Sequence, residues 1–163
     1  MIDINHKLSE HFTLAELVHS TTAESRNIKN VPDIDSLNNL KYLVKDVLEP
    51  LRIKYGKPII VSSGYRCIQL NRVIGGAANS QHTSGKAADI HSASDSLSDN
   101  RELFRTIITS GIEFDQLIWE FGNETGPDWI HISYDWKHGN RKQILKATKV
   151  NGKTHYRPLI EKL

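Results

Sequence analysis

The chain has 163 residues, room for about one domain, and its 38% hydrophobic and 25% charged residues exclude a disordered chain. Its 21 Lys and Arg against 19 Asp and Glu leave a net charge of +2, too little for the concentrated basic face that nucleic-acid binding demands. One cysteine, Cys67, excludes an intramolecular disulfide framework and a multi-cysteine zinc site, so a metal site here must use imidazole and carboxylate.

Thr13 and Glu16 stand three apart as a capping box and open a short helix. Leu37, Leu40, Val44, Val47, Leu48 and Leu51 form one apolar face of a helix running from about Asp35 to Gly56, which Pro50 should kink or split. Residues 58–62 are β-branched, and 87–91 and 116–120 read as short strands. Between them lies the polar stretch 92–100, a surface loop leading into a helix. A second capping pair, Asp99 and Glu102, predicts that helix to run through Leu103, Phe104, Ile107 and Ile108 and to stop at Gly111. Residues 129–133 alternate as a strand, and Asn151-Gly152 predicts a two-residue hairpin turn. Helices come first and strands later, which fits an α+β domain of N-terminal helices packed on a small, mainly antiparallel sheet. The expected organisation is one domain over residues 1–163. Without heptads or a long apolar surface stripe, the expected state is a monomer.

No run of about 18 apolar residues is present, so no membrane span is expected. Residues 1–7 have neither the basic opening nor the apolar core of a secretory signal.

Two segments carry the chemistry: Ser80-Gln81-His82-Thr83-Ser84-Gly85-Lys86-Ala87-Ala88-Asp89 and Asp128-Trp129-Ile130-His131. His82 and Asp89 would be about 23 Å apart if the chain were extended, so they can share a metal only if it turns back between them. Gly85 is placed to allow that turn. His131 adds a second imidazole from a predicted strand. Two histidines and a carboxylate make a three-ligand zinc set with a fourth position for water. The rival reading is a surface loop followed by a strand with a half-buried acid.

The same residues carry a resemblance. Ser80-x-His82-x-x-Gly85-x-Ala87-x-Asp89 matches the S-x-H-x-x-G-x-A-x-D motif of the zinc D-Ala-D-Ala peptidases. That family includes D-Ala-D-Ala carboxypeptidases, the dipeptidases of vancomycin resistance and phage endolysin peptidases. Ser62-Ser63-Gly64-Tyr65-Arg66 resembles its S-G-Y-R segment, and the acid three residues before the last histidine also matches, the likeness running from about Phe12 through Ser133. The resemblance implies a hedgehog/D-Ala-D-Ala peptidase-like fold and Zn²⁺ held by His82, Asp89 and His131. It implies Asp128 as the general base, where the family often has Glu, and Arg66 as the group that holds the substrate's carbonyl oxygen or terminal carboxylate. Zinc lowers the pKa of a bound water toward about 7, which supplies the nucleophile. The substrate implied is the peptidoglycan stem peptide, cut most simply at D-Ala-D-Ala. The expected location is the cytoplasm, or the cell wall reached by phage delivery or non-classical export.

Other residues have two readings each. Glu120 is a second acid near the metal, and the next choice for the base, or a strand-end carboxylate paired with a local cation. Ser80 and Gln116 orient the ligands or serve their loop and strand. Trp136, in a polar loop, is the expected substrate contact, while Trp119 and Trp129 pack in the core. His91 is an alternative ligand or a solvated neighbour. Cys67 is a small packed thiol, and Gly75-Gly76 belongs to a flexible loop beside the site. Two other functions compete with catalysis: a cell-wall-binding or assembly module that keeps the fold without activity, and a zinc-dependent signalling domain on the same fold.

Overall fold

Six strands form one mixed sheet in the computed structural model, which describes residues 6–159. The helices are α1 (Leu14–Val18), α2 (Thr21–Ser25), α3 (Ile34–Leu43), α4 (Glu49–Tyr55), α5 (Ile68–Val73) and α6 (Leu97–Thr109). The strands are β1 (Ile59–Ser63), β2 (Ala87–Ser92), β3 (Gln116–Glu120), β4 (Trp129–Ser133), β5 (Gln143–Val150) and β6 (Lys153–Pro158), in sheet order β1-β2-β4-β3-β5-β6. All neighbouring pairs are antiparallel except β3 with β5, which is parallel. The fold is α+β as expected, with that parallel pair making the sheet mixed.

The predicted capping box is present: Thr13 N–H donates to Glu16 Oε2 at 2.7 Å and Glu16 N–H to Thr13 Oγ1 at 3.3 Å. Pro50 neither breaks nor splits the next helix. It has no N–H for the Asp46 carbonyl four residues back. The turn before it, Val44–Leu48, instead widens to a π turn, with Glu49 N–H bonded to Val44 O, and the helix continues to Gly56. The first turn of α6 differs from expectation. Ser96, rather than Asp99, is the N-cap, accepting the Asp99 N–H at 3.2 Å, so the helix starts three residues earlier. Asn151 and Gly152 both have positive φ, 51° and 76°, as a two-residue turn between β5 and β6 requires.

Strand alternation gives the sheet two different faces. Ala88, Ile90, Leu117, Trp119, Ile130 and Ile132 face the helices. They pack there against Leu40, Val44, Val47 and Leu51 of the 34–55 helix and Leu103, Phe104 and Ile107 of α6. All six stripe residues predicted for the long helix are buried. Among the described residues, the other face carries no helix layer. Its cross-strand row runs Asp89 (β2), His131 (β4), Ile118 (β3), Leu145 (β5) and Pro158 (β6). Asp89 and His131 therefore lie on the open side of the sheet beside a small apolar cluster of Ile118, Leu145 and Ala147, while the main core sits on the other side.

Gly85 closes the turn that brings His82 back over Asp89. It ends the 3₁₀ turn Gln81–Ser84 at φ +70°, and a Cβ there would press into the Ser36 carbonyl of α3. Gly85→Ala is therefore expected to cost about 2–4 kcal/mol, combining the left-handed backbone penalty with overpacking. Urea denaturation of the two proteins measures it. Equal midpoints would show that the turn has room to relax.

Candidate metal centre

His82, Asp89 and His131 come together on the open face of the sheet. His82 Nε2 lies 3.2 Å from Asp89 Oδ1, His131 Nδ1 lies 3.0 Å from that oxygen, and the two ring nitrogens are 3.2 Å apart. The three donor atoms make a nearly equilateral triangle. Four tetrahedral ligands at the bond lengths typical of Zn²⁺ are separated by edges of about 3.3 Å. The donors thus fit a zinc ion in spacing and in type, leaving one corner of the tetrahedron outside the triangle.

Each donor is aimed by a neighbour. His82 Nδ1–H donates to Gly64 O at 2.7 Å, which leaves the Nε2 lone pair directed at the triangle. Burial lowers the pKa of His82 despite the nearby Asp89, which favours the neutral imidazole that a metal needs. Gly64 is itself pinned. The chain passes so close to Leu17 that a Cβ at Gly64 would collide with its backbone, and Tyr65 N–H bonds Leu17 O at 2.6 Å. Asn30 ties the same segment down, donating to Tyr65 O and accepting from Cys67 N–H at 2.7 Å. The Ser-Gly-Tyr-Arg stretch is therefore part of the centre's support. Asn30 was not legible as part of it, because a lone polar residue in a loop carries no local signal.

Asp89 is buried. Burial by itself would raise its pKa, but His82 and His131 outweigh that and hold the carboxyl far below the usual range. Its second oxygen, Oδ2, accepts from Arg66 Nη2 at 2.5 Å. Arg66 Nε is bonded in turn to Ser63 Oγ at 2.8 Å, so the guanidinium lies fixed at the edge of the triangle.

Around these residues is a cleft of about 700 Å³, lined among others by Arg66, Glu120, Trp129 and Tyr156. Glu120 is buried here, and burial pushes its pKa up to about 7; Asp89 adds to the rise, while His131 and Arg66 oppose it. Asp128 is elsewhere. It is exposed, makes no side-chain hydrogen bond among the described residues, and lines a separate recess with Gly122, Lys146 and Lys149. The reason is strand periodicity. Three positions before His131 is an odd step, which leaves the ligand's face, whereas Glu120 pairs with Trp129, two residues from His131 and on that face. The expectation that Asp128 sits beside the metal position is corrected: the acid in the cleft is Glu120.

The other candidates divide as follows. Ser80 and Gln116 line the cleft, but neither hydrogen-bonds His82, Asp89 or His131, so Gly64 and Arg66 orient the ligands instead. Trp129 lines the cleft, whereas Trp136 lies outside its lining. Trp136 stacks on Tyr42 with ring centroids 4.1 Å apart and donates to Asn39 Oδ1. Trp119 is in the core. His91 pairs with Asp95 at 3.3 Å rather than joining the triangle. Cys67 is half-buried and caps α5, its sulfur accepting the Leu70 N–H. Gly75 and Gly76 line the cleft. A second cluster, Glu10, His11 and Glu49, is mostly exposed, and Glu49 is already engaged by Ser9 and His11.

A family model described as Peptidase M15 matches residues 10–133, well over half of the chain and including all three donors, Arg66 and Glu120. No curated protein matches the chain. Among the described residues, no helix is long and apolar enough to cross a membrane.

Proposed function

The chain belongs to the peptidase M15 family, and on that premise we propose that it is a zinc-dependent peptidase acting on peptidoglycan stem peptides, with the D-Ala-D-Ala bond as its simplest target. The observation that carries this reading is the donor triangle of His82, Asp89 and His131 with Glu120 in the same cleft. His82 through Nε2, Asp89 through Oδ1 and His131 through Nδ1 would hold the Zn²⁺. The chemistry a bound Zn²⁺ supplies is activation of water near neutral pH and polarisation of the scissile carbonyl.

The remaining work falls to the chain's own side chains. A Glu120 carboxylate oxygen takes the proton from the attacking water and returns it to the leaving amine nitrogen; its raised pKa suits both transfers. Arg66 keeps donors free after bonding Asp89 and Ser63. It offers them to the carbonyl oxygen as charge develops, or to the substrate's terminal carboxylate. Trp129 and Tyr156 line the cleft around this chemistry.

The test is incubation of the zinc-loaded protein with purified muropeptides, followed by mass analysis. Release of D-Ala from pentapeptide stems is the expected product. Absence of any cleaved product with Zn²⁺ or another divalent metal, at high enzyme concentration, would overturn the assignment.

A further inference from the structure

The cleft extends past the donor triangle toward β5, and its wall there comes from Arg141, Gln143, Leu145 and Tyr156, all beyond residue 133 where the family match ends. Its floor is apolar: His131 is followed across the sheet by Ile118 and then Leu145. Two strand spacings place Leu145 about 10 Å from His131. Next to that floor Gln116 Nε2 donates to Gln143 Oε1 at 2.6 Å. Arg141 stands at the rim.

Arg141 is held in place by a buried acceptor. Its Nε and Nη2 donate to Asp115 at 2.7 and 2.5 Å, and its backbone N–H reaches the same carboxylate at 3.0 Å. Gln81 Nε2, from the loop carrying the zinc motif, adds a fourth donor at 2.8 Å. Asp115 is only 5% exposed. A guanidinium engaged along its Nε–Nη2 side keeps its end face, Nη1 with the outer Nη2 hydrogen, for another planar acceptor. The Arg141 side chain is 58% exposed, so that end face is accessible from the cleft.

We propose that Arg141 is a carboxylate-binding residue of the substrate cleft, which selects peptides carrying a free carboxylate remote from the scissile bond. The apolar floor accommodates short side chains, and Asp115 with Gln81 keeps the cation from swinging away. This inference rests on the peptidase reading, and it assigns substrate selection to the segment outside the family match.

Two synthetic stem pentapeptides that differ only in a carboxylate or a carboxamide on a residue remote from the scissile bond test it. Kinetics of the zinc-loaded protein are compared with calorimetric binding of the same peptides to a zinc-loaded Glu120→Gln background. The carboxylate peptide is expected to bind about 10- to 100-fold more tightly, the range for a hydrogen bond to a charged group, with the difference seen in KM rather than kcat. Arg141→Gln is expected to erase that ratio. Arg141→Lys, which keeps a cation and one donor for Asp115, is expected to restore part of it. Equal binding of the two peptides by the unsubstituted protein, or an Arg141→Gln loss of equal size on both, would overturn the subsite and leave the peptidase reading standing. Neither binding nor cleavage of either peptide would overturn both.

Discussion

Glu120→Gln is expected to lower kcat/KM by about 10²- to 10⁴-fold, the usual contribution of a positioned general acid–base, while Asp128→Asn changes it by less than about threefold. Both replacements remove a carboxylate, but only one removes it from the cleft. Glu120 is buried among Asp89, His131 and Arg66, and glutamine fills the same volume without accepting a proton. A second readout separates this role from a structural one. The Glu120 carboxyl has an ordinary pKa of 4.5 and a folded value of about 7, so ionising it inside the protein is unfavourable. The sign follows by linkage: the unfolded chain releases this proton first, and the metal-free protein loses stability as pH rises between those values, by roughly 3 kcal/mol in all. Glu120→Gln should therefore stabilise the metal-free protein at pH 8 and have little effect at pH 4. A Glu120→Gln protein that kept full activity would remove the residue from the mechanism. In the active protein, kcat/KM should fall on the acid side as Glu120 becomes protonated, at a pH at or below about 7, because metal charge beside the carboxyl lowers its pKa.

The helices and strands that could be read from the sequence are those where local chemistry and packing agree. Thr13 and Glu16 cap the helix they predicted, and the six-residue stripe from Leu37 to Leu51 faces the core. Strands β3 and β4 begin and end at the residues expected, β4 from its alternation. The missed features depend on what a segment meets in space. The π turn answers a carbonyl that Pro50 cannot serve, and the Ser96 cap succeeds because Ser94 Oγ already engages the Asp99 carboxylate that would otherwise cap the helix. The parallel pairing of β3 with β5 has no local mark, since a short strand reads the same in either direction.

The candidate site shows the same division. His82, Asp89 and His131 were legible because motif spacing and a glycine turn specify them together. Glu120 was visible only as an alternative, although period-2 alternation along Gln116, Ile118 and Glu120 would have placed it on the ligand face. Arg141 and Asp115 form an ion pair across 26 positions, and no spacing rule links them. What sequence order hides is which face a residue shares, and the sheet register supplies that directly.

Asp89→Ala is expected to be the most damaging change at the centre, in the metal-free protein as well as the zinc-loaded one. The carboxylate bonds Arg66 through one oxygen and lies against both imidazoles through the other. Removing it leaves a guanidinium whose side chain is only 14% exposed without its counter-charge, and breaking a buried pair from one side costs about 3–5 kcal/mol. His82→Ala removes the bond to Gly64 O and one partner of Asp89 but leaves that carboxylate paired with Arg66 and His131, so its cost to the metal-free protein should be smaller. The unsubstituted protein is expected to bind about one equivalent of zinc per chain and both variants to lose it, a three-ligand site having no donor to spare. The pH dependence identifies the cause. The Asp89 pKa is held well below its ordinary 3.8, so its contribution to stability is complete above about pH 5 and fades as pH falls below that value toward the folded pKa. The stability gap between unsubstituted and Asp89→Ala metal-free proteins should therefore narrow in acid, measured by urea midpoints at pH 7 and pH 3. A gap of equal size for His82→Ala and Asp89→Ala at pH 7 would mean that the pairing with Arg66 contributes little. An Asp89→Ala protein that kept its zinc by elemental analysis would mean that the triangle is not where the metal sits.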